Sequence, residues 1–121
     1  MVAINFQAQF ADAVASGRKT QTIRQNARAK AGQALQLYTG QRTKACRKLA
    51  DAVCIDCTYV GLRASGVTLG DTSRFPRDID DFARADGFEN YAAMWKWFSE
   101  RYKTHSFTGH IIRWRLASAS Q

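Results

Sequence analysis

Five stretches of the chain alternate apolar and polar residues in the manner of a strand: "KTQTIR", "QALQLYTG", "LADAVCIDCTYVGL", "GVTLG" and "FTGHIIRWRLA". Their crowding into 121 residues is the tightest constraint on the fold. A chain of that length makes one domain, and several short strands in so little sequence favour a small closed or nearly closed barrel. Helical signals flank the strands. Phe6, Phe10 and Val14 recur every four residues and predict a short first helix that Gly17 stops. Asp78 can cap a helix carrying Ile79, Phe82 and Ala83, ended by Gly87. Asn90 can cap another, with Tyr91, Met94, Trp95, Phe98 and Tyr102 on one stripe that either faces the core or offers a platform for stacking bases. The expected class is α+β: mostly antiparallel strands in a barrel with flanking helices over residues 1–117, and a frayed tail, "SASQ", over 118–121.

Composition excludes several function classes. Apolar residues make up 45% and aromatics 12%, enough for a proper core. No apolar run approaches the roughly 18 residues of a membrane span. The start, "MVAINFQAQF", lacks a charged segment followed by an apolar block, so a cytoplasmic address is expected. Cys46, Cys54 and Cys57 make an odd count that argues against a disulfide framework. Cys54-x-x-Cys57 lies inside a strand candidate, where positions three apart face opposite sides, so no metal site is expected there.

The net charge is +8 and unevenly spread. Between Asp12 and Asp51 there is no acid, while Arg18, Lys19, Arg24, Arg28, Lys30, Arg42, Lys44, Arg47 and Lys48 are all basic. Such asymmetry points to a polyanion, most naturally nucleic acid, or to a nucleotide or nucleoside ligand. As phosphate contacts the candidates are Arg42, Lys44, Arg47 and Lys48, with Tyr38 or Trp114 to stack a base.

The densest part of that basic half is "GRKTQTIR", Gly17 to Arg24. Two readings of it stay open. In one, Lys19 is a solvated cation past a helix end, Thr20 and Thr22 are strand formers, and Asp86 pairs with Arg84 or closes its helix. In the other, the string is the floor of a ligand cleft in which Arg18, Thr20 and Arg24 bind. On an ideal strand Lys19 and Thr22 point to opposite faces, so their convergence requires a twist or bulge after Gly17.

The string, together with "KAGQALQLYTGQRTKACRKL" and "FARADGF", resembles the ASCH domain, a relative of the PUA barrel, from Ile4 to Trp114. The resemblance implies a β-barrel with helices packed on it and a cleft for RNA or a nucleobase. One branch of that superfamily, the bacterial amidohydrolases of N4-acetylcytidine, carries a similar Gly-Arg-Lys-Thr-x-Thr-x-Arg string. The likeness implies catalytic roles for Lys19 and Thr22. The third catalytic residue there is a Glu, where this chain has Asp86, one methylene shorter; Glu89 lies nearby. Other ASCH proteins imply ribonuclease or plain single-stranded RNA-binding roles. Lys19, Lys44, Tyr38, Tyr91 and His110 are the candidate acids and bases for RNA cleavage.

Chemically, a threonine hydroxyl attacks only once a neighbour takes its proton. Lys19 can do so if burial and the cations Arg18 and Arg24 lower its pKa. Asp86 can orient Lys19 or pass a proton to a departing amine. Amide hydrolysis by this set calls for no metal and no cofactor.

Overall fold

A computed structural model describes residues 2–26, 29–70 and 76–117. Its elements run in the order β1 (Val2–Phe6), a 3-10 turn (Ala8–Phe10), α1 (Ala11–Ser16), β2 (Gln21–Arg24), β3 (Ala34–Thr39), β4 (Arg47–Arg63), β5 (Gly66–Leu69), α2 (Ile79–Ala85), α3 (Tyr91–Tyr102) and β6 (Ser106–Leu116). The domain is α+β. Six strands make one mixed, mostly antiparallel sheet in the order β1-β3-β4-β6-β2, with β5 added to β4. Only β1 and β3 pair in parallel. No ladder joins β2 back to β1, so the sheet is unclosed and both of those strands are edges. The tail expected at 118–121 lies outside the described residues.

The first helix is shorter than its apolar spacing predicts, and a strand precedes it. Ile4 and Phe6 are buried while Ala3 and Asn5 are exposed, a period of two that lets β1 pair with β3. Phe6 therefore closes a strand; the helix keeps Val14, fully buried, and ends at Gly17 as expected. The two later helices follow their sequence signals. The Asp78 carboxylate accepts from the Asp80 and Asp81 amides, and the Asn90 side chain accepts from the Ala93 amide. Along α3, Tyr91, Met94 and Phe98 are buried.

The long strand β4 carries two cores. Ala52 and Cys54 face one cluster, with Ile4, Phe6, Leu35, Leu37, Ile112 and Trp114. Val60 and Leu62 face another, under α2 and α3, with Met94, Phe98, Phe107 and Ile111. All four β4 residues have even numbers, so a regular strand would send them to one side. The register against β6 slips between Cys54 and Asp56, leaving Ile55 unpaired and 52% exposed. One extra residue reverses the parity of everything after it. The bulge also corrects the reading of the cysteines: Cys54 pairs with Trp114 and Cys57 with Ile112, so both look toward the same core rather than to opposite faces. All three cysteines are free, and among the described residues no three His, Cys, Asp or Glu side chains gather as metal ligands. No helix among the described residues is long and apolar enough to cross a membrane.

Gly109 sets how closely β2 can lie on β6. A Cβ there would stand 2.6 Å from the Arg24 carbonyl oxygen and 3.1 Å from its carbon. Backbone cannot yield as a flexible side-chain tip does. Gly109→Ala is expected to cost about 3 kcal/mol of stability in urea unfolding. A cost below about 0.5 kcal/mol would show that β2 is not held by this contact.

Candidate functional site

The end of β1, the edge strand β2, the Asp86–Phe88 turn and the C-terminal half of α3 enclose a cavity of about 270 Å³. That is near the lower end for ligand pockets, the size of a nucleobase rather than a helix of nucleic acid. Lys19, Thr22, Arg24 and Asp86 all line it, together with aromatic walls from Phe6, Phe10, Phe88, Trp97 and Tyr102.

Lys19 reaches the cavity because it precedes β2. It sits in the connection after Gly17, its amide bonded to the Ala13 carbonyl at 2.9 Å. The alternation that would separate it from Thr22 does not apply there, and no bulge is needed. Its side chain is buried, not solvated. The ammonium donates to the Asp86 backbone carbonyl and lies 3.4 Å from the Asp86 carboxylate. Nζ is also 5.0 Å from the centre of the Phe10 ring and 5.7 Å from that of Phe6.

Asp86 stands where α2 terminates. The Phe88 amide bonds to the Ala83 carbonyl and the Gly87 amide to that of Arg84, a Schellman closure with Gly87 at φ +97°. A Cβ on Gly87 would also come within 3.2 Å of the Lys19 side chain and 3.3 Å of the Phe10 ring. The closure turns the Asp86 side chain inward, where the Gln21 amide donates to it at 3.3 Å. Arg84 pairs with Asp81 instead, at 2.6 Å, so the alternative in which it holds Asp86 fails.

The electrostatics of this pair are set by dehydration. Burial pushes the Lys19 amine below the ordinary lysine range, with Asp86 opposing and Arg24 adding to the fall. Burial likewise raises the Asp86 carboxyl, against the pull of Lys19 and Gln21. Both shifts bring the two groups toward sharing one proton. Arg24 completes the set: Nε donates to the Thr22 hydroxyl at 3.1 Å, a terminal nitrogen donates to the Asn5 carbonyl at 2.8 Å, and the guanidinium lies 5.1 Å from the Phe6 ring centre. The Thr22 oxygen is thus an acceptor from a cation, which lowers the cost of its ionisation.

Other expected residues lie elsewhere. Arg18 is exposed beside Arg84 in a separate depression, and Thr20 is exposed, joined to Ala85 and Trp114 through its backbone. Trp114 is a core residue, edge-on to Phe6 at 5.8 Å, and cannot stack a ligand. Tyr38 is half-buried and donates to Gln36 at 3.3 Å. Arg42, Lys44, Arg47 and Lys48 form an exposed turn and strand start, with Lys48 paired to Asp51 at 2.7 Å. That turn adjoins the cavity, since the Gln41 amide donates to the Asn5 side chain at 2.9 Å. The set considered for RNA cleavage is not assembled. Tyr91 donates to the Arg63 and Gly66 carbonyls at 2.5 and 3.2 Å, its phenol pushed up to about 12 by burial. His110 lies against Tyr59.

Sequence reading missed Gln21, and the walls from Phe10, Phe88 and Trp97. The sign was present in α3: Trp97 stands off the core stripe, four residues before Arg101. The Arg101 guanidinium lies 5.4 Å from its ring centre, at the cavity mouth. Comparison with family models, curated proteins and solved structures finds no match to this chain.

If Lys19 and Asp86 act as one unit, Lys19→Met and Asp86→Leu should each cost about 3–5 kcal/mol, because each strands a buried partner. The double variant should cost less than either. Urea unfolding of the three proteins decides it, and strictly additive losses would contradict the coupling.

Proposed function

We propose that the cavity is the active site of a hydrolase that removes the acyl group from the exocyclic amine of a pyrimidine nucleoside, N4-acetylcytidine being the simplest substrate. The observation that carries this reading is the meeting of Lys19, Thr22, Arg24 and Asp86 in one aromatic-walled cavity of base size. Lys19, Thr22 and Asp86 stand at the catalytic positions implied by the resemblance to ASCH amidohydrolases, with Arg24 as the expected ligand contact, and on this reading the unclosed sheet is a PUA-like barrel whose two edges part around the ligand. Asp86 serves in place of the longer Glu because the Schellman closure already carries its backbone to Lys19.

Neutral Lys19 takes the proton of the Thr22 hydroxyl, and Thr22 Oγ1 attacks the acyl carbon. The carbonyl electron pair moves onto oxygen, where Arg24 stabilises it. The C–N bond then breaks, and the leaving amine takes its proton from Lys19, with Asp86 holding the ammonium in place. Water, deprotonated by the same amine, releases the acid and restores Thr22.

Lys19→Ala should lower turnover of N4-acetylcytidine about a hundredfold or more, followed as cytidine formed by chromatography. Survival of turnover in that variant would defeat the reading. The pH dependence is signed. Only the free amine is a base, so kcat/KM should rise with pH and level off below the ordinary lysine pKa. Asp86 raises the Lys19 pKa, so in Asp86→Asn the residual activity should rise at lower pH than in the wild type. A shift toward higher pH would contradict the assignment of Lys19 as base.

A second reading, plain binding of single-stranded RNA, is favoured by the exposed Arg42, Lys44 and Arg47 beside the cavity, none in an ion pair among the described residues. It expects affinity that falls steeply with salt, measured by anisotropy of a labelled strand. A flat salt response would count against it.

A further inference from the structure

Arg24 stands at the end of a row that leads out of the cavity. Directly opposed residues in a sheet share a face. Arg24 pairs with His110 on β6, and His110 pairs with Tyr59 on β4. Two residues further along the same strands, Thr108 pairs with Gly61, and beyond them Ser106 pairs with Arg63. The reverse side of these strands is the core under α2 and α3. The row's own side is shared with the first core, where Val14 of α1 packs with Ile112 and Trp114, and the row runs beyond that cluster.

The row is not a plain solvated surface. Tyr59, Arg63, Ser106 and Thr108 border a depression of about 380 Å³ with Gly61 among its lining residues. Tyr59 is 43% exposed, its ring edge-on to His110 at 5.7 Å and 83°. His110 Nδ1 is shielded from solvent and has no hydrogen-bond partner among the described residues. Arg63 is exposed and makes no ion pair among them. One exposed aromatic face, one cation and two hydroxyls thus border a depression whose Tyr59 edge lies about 10 Å from Arg24, two strand spacings away, with His110 on the strand between them.

We propose that this face seats a single strand of RNA, with the base to be processed entering the cavity and its neighbours lying along the row. A sheet face with an exposed aromatic is how single strands are taken, a base stacking on the ring and a cation meeting the phosphate. Here Tyr59 is the stacking ring and Arg63 the phosphate contact. Ser106 and Thr108 face the ribose, where hydroxyl partners favour RNA over DNA. The net charge of +8 matches a polyanion. The inference rests on the preceding reading only for what happens in the cavity: on it, the natural substrate is an acylated base within a strand, and a free nucleoside is a fragment of it.

The test pairs two measurements on the full chain. Anisotropy of a short fluorescein-labelled RNA is titrated with wild type, Tyr59→Ala, Arg63→Ala and, as the alternative surface, Arg42→Ala/Lys44→Ala. Turnover of free N4-acetylcytidine is followed in parallel. Tyr59→Ala should weaken RNA binding roughly tenfold, the size of one lost base stack. Arg63→Ala should reduce the salt slope by about one. Both variants should process the free nucleoside like wild type. RNA binding that only the Arg42/Lys44 variant weakens overturns the proposal, as does wild type that fails to bind RNA while turning over the nucleoside. Equal affinity for DNA of the same sequence also overturns it. Loss of RNA affinity in Tyr59→Ala, with no nucleoside turnover by wild type, sustains the strand site and defeats the hydrolase reading instead.

Discussion

Lys19 and Asp86 are the fixed point of this molecule. Two groups that water would solvate well are buried together, each at 2% exposure, and neither is tolerable there alone. Their pairing ties the connection between α1 and β2 to the end of α2, segments 67 residues apart in the chain. It also sets the protonation chemistry, because the dehydration that makes the pair expensive is what moves the amine toward a usable base. On the proposed reading, stability and reactivity therefore come from one desolvation. A more stable apolar replacement of the pair would be a chemically silent one.

Around that point the structure is arranged to bring backbone ends together. Gln21 reaches Asp86 from β2, and the same side chain donates to the Phe82 carbonyl, so the edge strand and α2 share a polar seam. Arg24 closes the other side by donating to the Asn5 carbonyl of β1. The two sheet edges, which no ladder joins, are thus linked by one guanidinium where the cavity opens. An exposed edge carbonyl is satisfied by a residue the site needs anyway.

Much of this was legible in the sequence, and the rest was hidden for identifiable reasons. Caps at Asp78 and Asn90, the closure at Gly87 and the strand alternation of β3 and β6 act locally, so local residues reveal them. Lys19 and Thr22 were visible through a spaced string, and Asp86 through the likeness of "FARADGF". Their convergence was not, because alternation was extended to Lys19, which lies outside the strand. β1 was concealed because Phe6, Phe10 and Val14 have helical spacing by coincidence of two successive elements. The facing of Cys54 and Cys57 was misread because a bulge is a property of the pairing with β6, and nothing within β4 announces it. The uneven charge suggested a polyanion, yet the exposed row through Tyr59 and Arg63 is assembled only across strands.

The bulge at Ile55 has a consequence for how such a chain can change with descent. Every side chain of β4 beyond it is assigned to its core by counting from that one unpaired residue. Gaining or losing a residue there would exchange the apolar and solvent sides of half the spine at once. The turn from Gly40 to Cys46 is counted by no ladder and carries exposed side chains from Arg42 onward. In a lineage built on this chain, length would be conserved at Ile55 and negotiable at that basic turn. Its variation would then be felt as tuning of the charge beside the cavity, not as damage to the fold.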